Sequence, residues 1–276
     1  MRRLVLLAAI GILPAILPAQ DDCFPGPNSN EAKTFALLSV PLAFTGAQAP
    51  VARAHGIGVG LEVASIPAVD SGTATPTVCR PGKGPENTDA VPAVARLRFA
   101  AGVQGFLLEL SWTPPVGVNG VTSNLLGLAI SHPFPLSAKW TLGVRAEGVF
   151  GGIHGPIVCD DVAVADPASE CFGGTISDDT WRPGLFGAEA VVGSGGGKIR
   201  PHLGVGYTHL SPRFQVNFTP AQGETDTRKV AVDMNRAAVF GGVTVPLGSL
   251  LLTGEAYATI GDAVIARMVL RLPLSK

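Results

Sequence analysis

Past residue 54, apolar residues alternate with small or polar ones at a period of two. In "HGIGVGLEV" (55–63), Ile57, Val59, Leu61 and Val63 share one side, against Gly58, Gly60 and Glu62. In "GFLLELSW" (105–112), Phe106, Leu108, Leu110 and Trp112 oppose Leu107, Glu109 and Ser111. In "WTLGVRAEGVF" (140–150), Trp140, Leu142, Val144 and Ala146 oppose Thr141, Gly143, Arg145 and Glu147. Side chains alternate across a strand, so this period marks β-strands with one apolar face. It recurs near 92–101, 122–132, 181–193, 198–218, 229–245, 249–258 and 263–273. The total is about ten strands, each near the ~9–11 residues of a tilted membrane-crossing strand. No repeat with a period of about 20–50 residues appears.

The connections sort by length. Short turns at "AGVQG", "SHPFPLSAK", "GSGGGK" and "VPLGS" alternate with longer or more polar links over 67–91, 114–121, 151–180 and 219–228, with "IGD" a tight exception. This layout brings both ends of the sheet to the side of the short turns, as in an all-β, antiparallel up-and-down transmembrane β-barrel. A soluble β-sandwich also alternates, but its outward rows of Leu, Val and Phe would face water. In hydrocarbon an unpaired backbone group costs several kcal/mol, so strands cross a bilayer only as a closed barrel.

Composition agrees. The 276 residues are 46% hydrophobic and only 15% charged, with a mean hydropathy of +0.35. Apolar content is nonetheless spread over short segments, and only the N-terminus approaches the roughly 18 apolar residues of a membrane helix. There "MRRLVLLAAIGILPAILPAQ" has Arg2 and Arg3, an apolar stretch from Leu4 to Leu17 and small residues after it. That is the pattern of a cleaved secretory signal peptide over 1–20, with a retained anchor as the competing reading. Asp21 and Asp22 before Cys23 exclude a lipoprotein signal. Without Arg2 and Arg3, the 20 Lys and Arg fall to 18 against 21 Asp and Glu, a formal charge of −3. No basic patch points to nucleic acid. Four cysteines fit an oxidising compartment and up to two disulfides.

The inward register collects Glu62, Arg96, Arg98, Glu109, Arg145, Glu147, Glu189, Arg200, His202, Glu255, Arg267 and Arg271, while the outward register is nearly free of charge. A lipid-facing Arg or Lys at the midplane costs about 2–4 kcal/mol, so these residues are expected to line the lumen. They serve either as a structural Arg–Glu network or as the lining of a solute path.

Enzyme signatures are weak. In "YTHLSPRF", His209 and Ser211 share a strand face, but no carboxylate is placed to orient the histidine, Glu224 being the nearest. "GSGGGK" lacks the first glycine and the Ser/Thr of a P-loop. "GIGVG" lacks dinucleotide-binding spacing and instead leaves room inside the barrel. The loop 151–180 carries Asp160, Asp161, Asp166, Glu170, Asp178 and Asp179 without a Lys or Arg. It has neither the ligand spacing of a calcium loop nor a second pair to make a zinc site with His154, Cys159 and Cys171. A disulfide between Cys159 and Cys171 is expected instead. No catalytic residue, metal or cofactor is assigned.

On the signal segment, the alternating strands and the loop asymmetry, residues 55–276 resemble the small outer-membrane β-barrel proteins of the Gram-negative envelope. The resemblance is one of architecture and picks no subfamily. The C-terminal "RMVLRLPLSK", with Met268, Leu270 and Leu272 outward, departs from the aromatic end that such barrels often carry. It implies an outer-membrane location, lipid as a partner, and porin-like transport of small solutes, hydrophobic ones included. It sets no oligomeric state. A lipid hydrolase built on Ser211 is the remote alternative.

Residues 21–54 differ. "NSNEAKTFALLSVPLAF" (28–44) has Ser29 or Asn30 to cap a helix, Glu31 in its first turn, and Pro41 to end it. A strand over Phe35–Phe44 is the competing reading. A helix has two homes, the periplasmic mouth or the lumen, where it would act as a plug of the kind the resemblance to occluded and hydrophobic-substrate barrels allows. Cys79 lies in the first long loop. A Cys23–Cys79 pair would force residues 21–54 to descend through the barrel before the first strand. The reading is therefore a narrow or gated channel or transporter, with a solid-cored structural or surface-interaction barrel as the alternative.

Overall fold

The computed structural model describes residues 22–50, 56–86, 88 and 91–274, so the signal segment expected at 1–20 lies outside the described residues. In chain order the strands are β1 (Ile57–Ser65), β2 (Ala93–Val103), β3 (Phe106–Thr113), β4 (Thr122–Pro135), β5 (Trp140–Gly155), β6 (Asp179–Arg182) and β7 (Leu185–Ser194). There follow β8 (Arg200–Leu210), β9 (Arg213–Gln215), β10 (Lys229–Ala231), β11 (Met234–Leu247), β12 (Leu250–Thr259) and β13 (Val264–Pro273). Helices are short: α1 (Asn30–Ser39), α2 (Ser71–Ala74) and α3 (Asp161–Ala165).

Ten strands close an antiparallel ring in the order β1-β2-β3-β4-β5-β7-β8-β11-β12-β13, with β13 paired back to β1. Tight turns join β2–β3, β4–β5, β7–β8 and β11–β12 at the end that also holds the start of β1 and the end of β13. That end is the periplasmic one by the usual sense of such barrels.

Three expected strands are each broken in two. The 181–193 stretch divides into β6 and β7 at Pro183–Gly184, 198–218 into β8 and β9 at Ser211–Pro212, and 229–245 into β10 and β11 at Val232–Asp233. Proline cannot donate to a ladder, and Gly184 has a φ of +49° that suits glycine. The breaks lie side by side, since Ser211 N donates to Gly184 O at 2.8 Å and Val232 N to Pro212 O at 3.2 Å. Above them β6, β9 and β10 form a small sheet that continues β5. Its free edge is covered by Cys23, which bridges Val230 in parallel.

The outer face is apolar. From Trp140 to Phe150 along β5, ten steps of about 3.4 Å at a tilt near 40° climb about 26 Å, the height of the apolar band of such barrels. Phe106, Phe134 and Trp140 mark its lower edge and Phe150 its upper one, with Trp112 exposed between them.

Within residues 28–44, Asn30–Ser39 form a helix inside the barrel, not a strand or a periplasmic cap. Ser29 Oγ accepts from Ala32 N at 3.1 Å, and after Ser39 the Val40–Leu42 turn closes the helix as Pro41 removes a donor. Ala32, Ala36 and Val40, four residues apart, form one face. They share a buried cluster with Met234, Ala238, Phe240, Tyr257 and Ile265.

Candidate functional site

Below the helix the chain runs extended through the lumen, and five arginines seize its carbonyls in succession. Leu42 O accepts from Arg96 at 2.8 Å, and Ala43 O from Arg96 at 2.8 Å and Arg267 at 3.1 Å. Phe44 O accepts from Arg145, Thr45 O from Arg98 at 2.7 Å and Gly46 O from Arg271 at 2.7 Å. An extended segment satisfies none of its own backbone groups, so burying it requires outside donors. Guanidinium groups supply five N–H donors each and need no proton in return.

The same arginines hold the glutamates. Glu62 meets Arg96, Arg98 at 2.5 Å and Arg267 at 3.0 Å. Glu109 meets Arg145 at 3.0 Å, Arg98 at 3.1 Å and Arg271 at 3.3 Å. Arg145 also reaches Glu147 at 2.7 Å and Glu189 at 3.3 Å, and Glu255 takes Arg267 at 3.0 Å and His202 at 3.1 Å. Arg96, Arg98, Arg145, Arg267 and Arg271 thus balance Glu62, Glu109, Glu147, Glu189 and Glu255, all buried. Phe44 sits in the middle, its ring centre 4.4 Å from the Arg98 guanidinium, 4.7 Å from Arg145 and 5.3 Å from Arg96. Gly127 on β4 makes room for it, since a Cβ there would meet the Phe44 ring at 3.1 Å.

Eleven of the twelve residues expected in the lumen belong to this clamp. Arg200 does not: it lies half-buried at the periplasmic rim, where β8 begins, and donates to Gly197 O at 3.3 Å. Lower down, a Cβ on Gly193 would come within 2.8 Å of Ala49. Between clamp and turns, among the described residues, lies a cavity of about 40 Å³ beside Gln48.

Above the clamp the lumen is different in kind. The second face of α1 carries Phe35, Leu38 and, just past its end, Leu42. Across a cavity of about 490 Å³ they look toward Val94, Leu125 and Ile153 of the barrel wall, with Trp181 and Phe214 of the small sheet above. That volume is in the range of small-molecule sites, which are mostly apolar with a few polar groups. The Trp181 indole N–H is buried and meets no hydrogen-bond partner among the described residues.

The rim of this chamber is polar and tied together. Glu31 accepts from Val78 N at 2.7 Å, Cys79 N at 2.8 Å and Thr77 N at 3.0 Å. Burial pushes its pKa up, but the Cys79 and Val78 amides outweigh that and hold it below the usual range. Arg80 pairs with Glu170 and lies 3.6 Å from Asp226, while Lys83 bridges Glu86 at 2.7 Å and Glu170 at 3.0 Å. Asp226 accepts from Arg228 Nε at 3.0 Å. Three loops are joined in this way. Both disulfides form, Cys23–Cys79 and Cys159–Cys171, each with a cysteine next to a residue of this lattice.

The remaining candidates are placed elsewhere. His209 lies on the outer face against Phe186 and bonds Asn235 at 2.8 Å, and Ser211 marks the strand break. Asp160 caps α3 through Ala163 N, and Asp179 accepts from three backbone amides and Ser177. No group of three potential metal ligands occurs among the described residues.

No protein-family model and no curated protein matches the chain. Among solved structures, the attachment invasion locus protein Ail of Yersinia pestis is 11% identical over 79% of this chain and 97% of its own, with a TM-score of 0.23. The ferric citrate transporter FecA in its unliganded form is 11% identical over 82% of this chain and 43% of its own, with a TM-score of 0.28. The toluene transporter TodX of P. putida is 13% identical over 93% of this chain and 73% of its own, with a TM-score of 0.30. At such TM-scores none of them adds to what strand pairing and the apolar belt establish. On that ground the chain is a closed ten-strand β-barrel of the outer-membrane kind, its lumen occupied by its own N-terminal segment.

Proposed function

We propose that this barrel binds a small apolar solute in the chamber beside α1 and takes part in its passage across the outer membrane, with residues 42–50 as the barrier below. The observation that carries this reading is the cavity of about 490 Å³ between the apolar face of α1 and the barrel wall. A void that size in a lumen otherwise filled by salt bridges forgoes a large amount of packing, which a bound solute would restore. Binding rather than catalysis is supported by the outward position of His209 and by a chamber wall whose surface is mostly apolar. The partners are membrane lipid around the barrel and an apolar solute within it.

Trp181 is a built-in reporter, since Trp112 and Trp140 lie on the outer face. In the Trp112→Phe/Trp140→Phe protein in detergent, bromododecane is expected to quench Trp181 saturably, and Leu38→Arg in the same background to abolish the quenching. Quenching that rises without limit, or is untouched by Leu38→Arg, contradicts binding in the chamber.

A second reading is favoured by the clamp itself: a barrel with a filled lumen whose loops do the work at the cell surface. It predicts an unquenched Trp181 and no conductance even when the strap is loosened.

A further inference from the structure

The chamber has a side as well as a top. β3 pairs with β2 only from Val103↔Phe106 up to Leu97↔Trp112, although β2 continues to Ala93 and stays paired there with β1. The cause is in the sequence: Thr113 is followed by Pro114 and Pro115, which have no N–H to offer. Residues 93–96 therefore have no ladder partner on the β3 side among the described residues. Ala93 and Ala95 belong to the outward register, with Leu97 and Phe99, and yet they line the chamber. So do Val116 and Val118 of the loop after β3, which are 64% and 45% exposed. Residues that face outward and also bound the cavity mark a gap in the wall.

The gap lies at the height of the outer leaflet. Six steps from Phe106 to Trp112 climb about 16 Å of a ~25 Å apolar band, and the unpaired edge begins there. Its surroundings are Ala, Val and Pro, whereas the way in from above crosses the Arg80–Glu170–Lys83 lattice and two disulfides. An apolar solute gains nothing by parting ion pairs, and leaving hydrocarbon for water costs it about 0.8 kcal/mol per CH₂.

We propose that the chamber exchanges its solute sideways, through the gap between β2 and the Pro114–Val121 loop, with solute dissolved in the outer leaflet. This rests on the chamber being a binding site. The substrate class is accordingly a membrane-partitioning hydrocarbon chain rather than a water-soluble polar molecule.

The test is the rate at which bromododecane, preloaded into phosphatidylcholine vesicles, quenches Trp181 in the full-length Trp112→Phe/Trp140→Phe barrel on mixing. Two variants close the gap by different means. Ala95→Phe fills it, and Pro114→Thr/Pro115→Val restores the donors that let β3 continue. Both are expected to slow quenching about tenfold with the same final extent, as a raised barrier does. Equal rates in the parent and both variants overturn the lateral route and leave binding intact. No quenching in the parent overturns binding and the route together.

Discussion

The lower and upper halves of this lumen solve the same problem with opposite chemistry. Below, an extended strap is held by buried charges that balance, with a cavity of about 40 Å³ beneath them among the described residues. Above, a helix of the same segment shows small residues to one wall and larger apolar ones to a cavity. Ion pairs close a passage because each guanidinium is committed to both a carbonyl and a carboxylate. Apolar walls carry no such commitments and can surround a void.

The largest expected effect comes from unbalancing the lower half. Glu62→Gln leaves Arg96, Arg98 and Arg267 short of their shared partner, and stability in urea is expected to fall by about 3–5 kcal/mol. The double variant Glu62→Gln/Arg267→Met should recover part of that. Equal losses in single and double variants would show that the charges do not act as a balanced set.

Next is the tether. Cys23→Ser frees the start of the strap from the first loop, with an expected loss of about 2–4 kcal/mol. The freed Cys79 should then react with a membrane-impermeant maleimide. An unreactive thiol would mean that the loop lattice alone holds this end.

A smaller effect is expected at the upper wall. Leu125→Ala enlarges a void that already exists, so the cost should sit near about 2 kcal/mol, the low end for such truncations. Capacity for the larger bromoalkanes should rise. A cost as high as that of Glu62→Gln would remove the contrast between the halves.

The strand pattern was legible because the bilayer imposes it: apolar out, charged in, with short turns at one end. Ten lumenal charges and His202 follow from the same rule, and Arg200 escapes it only because β8 starts there and its side chain reaches the rim. The Ser29 cap and the Pro41 stop locate α1. The carbonyl-reading role of the arginines was not legible, since a period of two says which way a side chain points but not what it meets. The chamber left fainter marks: Phe35, Leu38 and Leu42 at helical spacing, and Pro114–Pro115 ending β3 early. The three aligned breaks are hidden in the period of two, because Ser211–Pro212 and Pro183–Gly184 end a strand only where the neighbouring strands break beside them.

The smallest effect concerns the rim. Asp226 is pushed up by burial but held below its ordinary range by its bonds to Arg228 and by the charge of Arg80. A lowered carboxylate contributes stability that is present above its unfolded value and lost as pH falls through the folded one. Protease sensitivity of the loops should therefore rise only below the ordinary carboxylate range, and Asp226→Asn should remove that dependence. Loosening that begins near neutral pH would point to another group.

The division of the lumen is tested most directly by sided labelling with a small methanethiosulfonate. Leu38→Cys lies in the chamber and Gln48→Cys below the clamp. Uncharged reagent added outside, entering the chamber from the outer leaflet, should modify Leu38→Cys and spare Gln48→Cys, and charged reagent in the periplasm should modify Gln48→Cys and spare Leu38→Cys. Modification of Gln48→Cys from outside, with the barrel intact, would show an open lumen and contradict the clamp as a barrier.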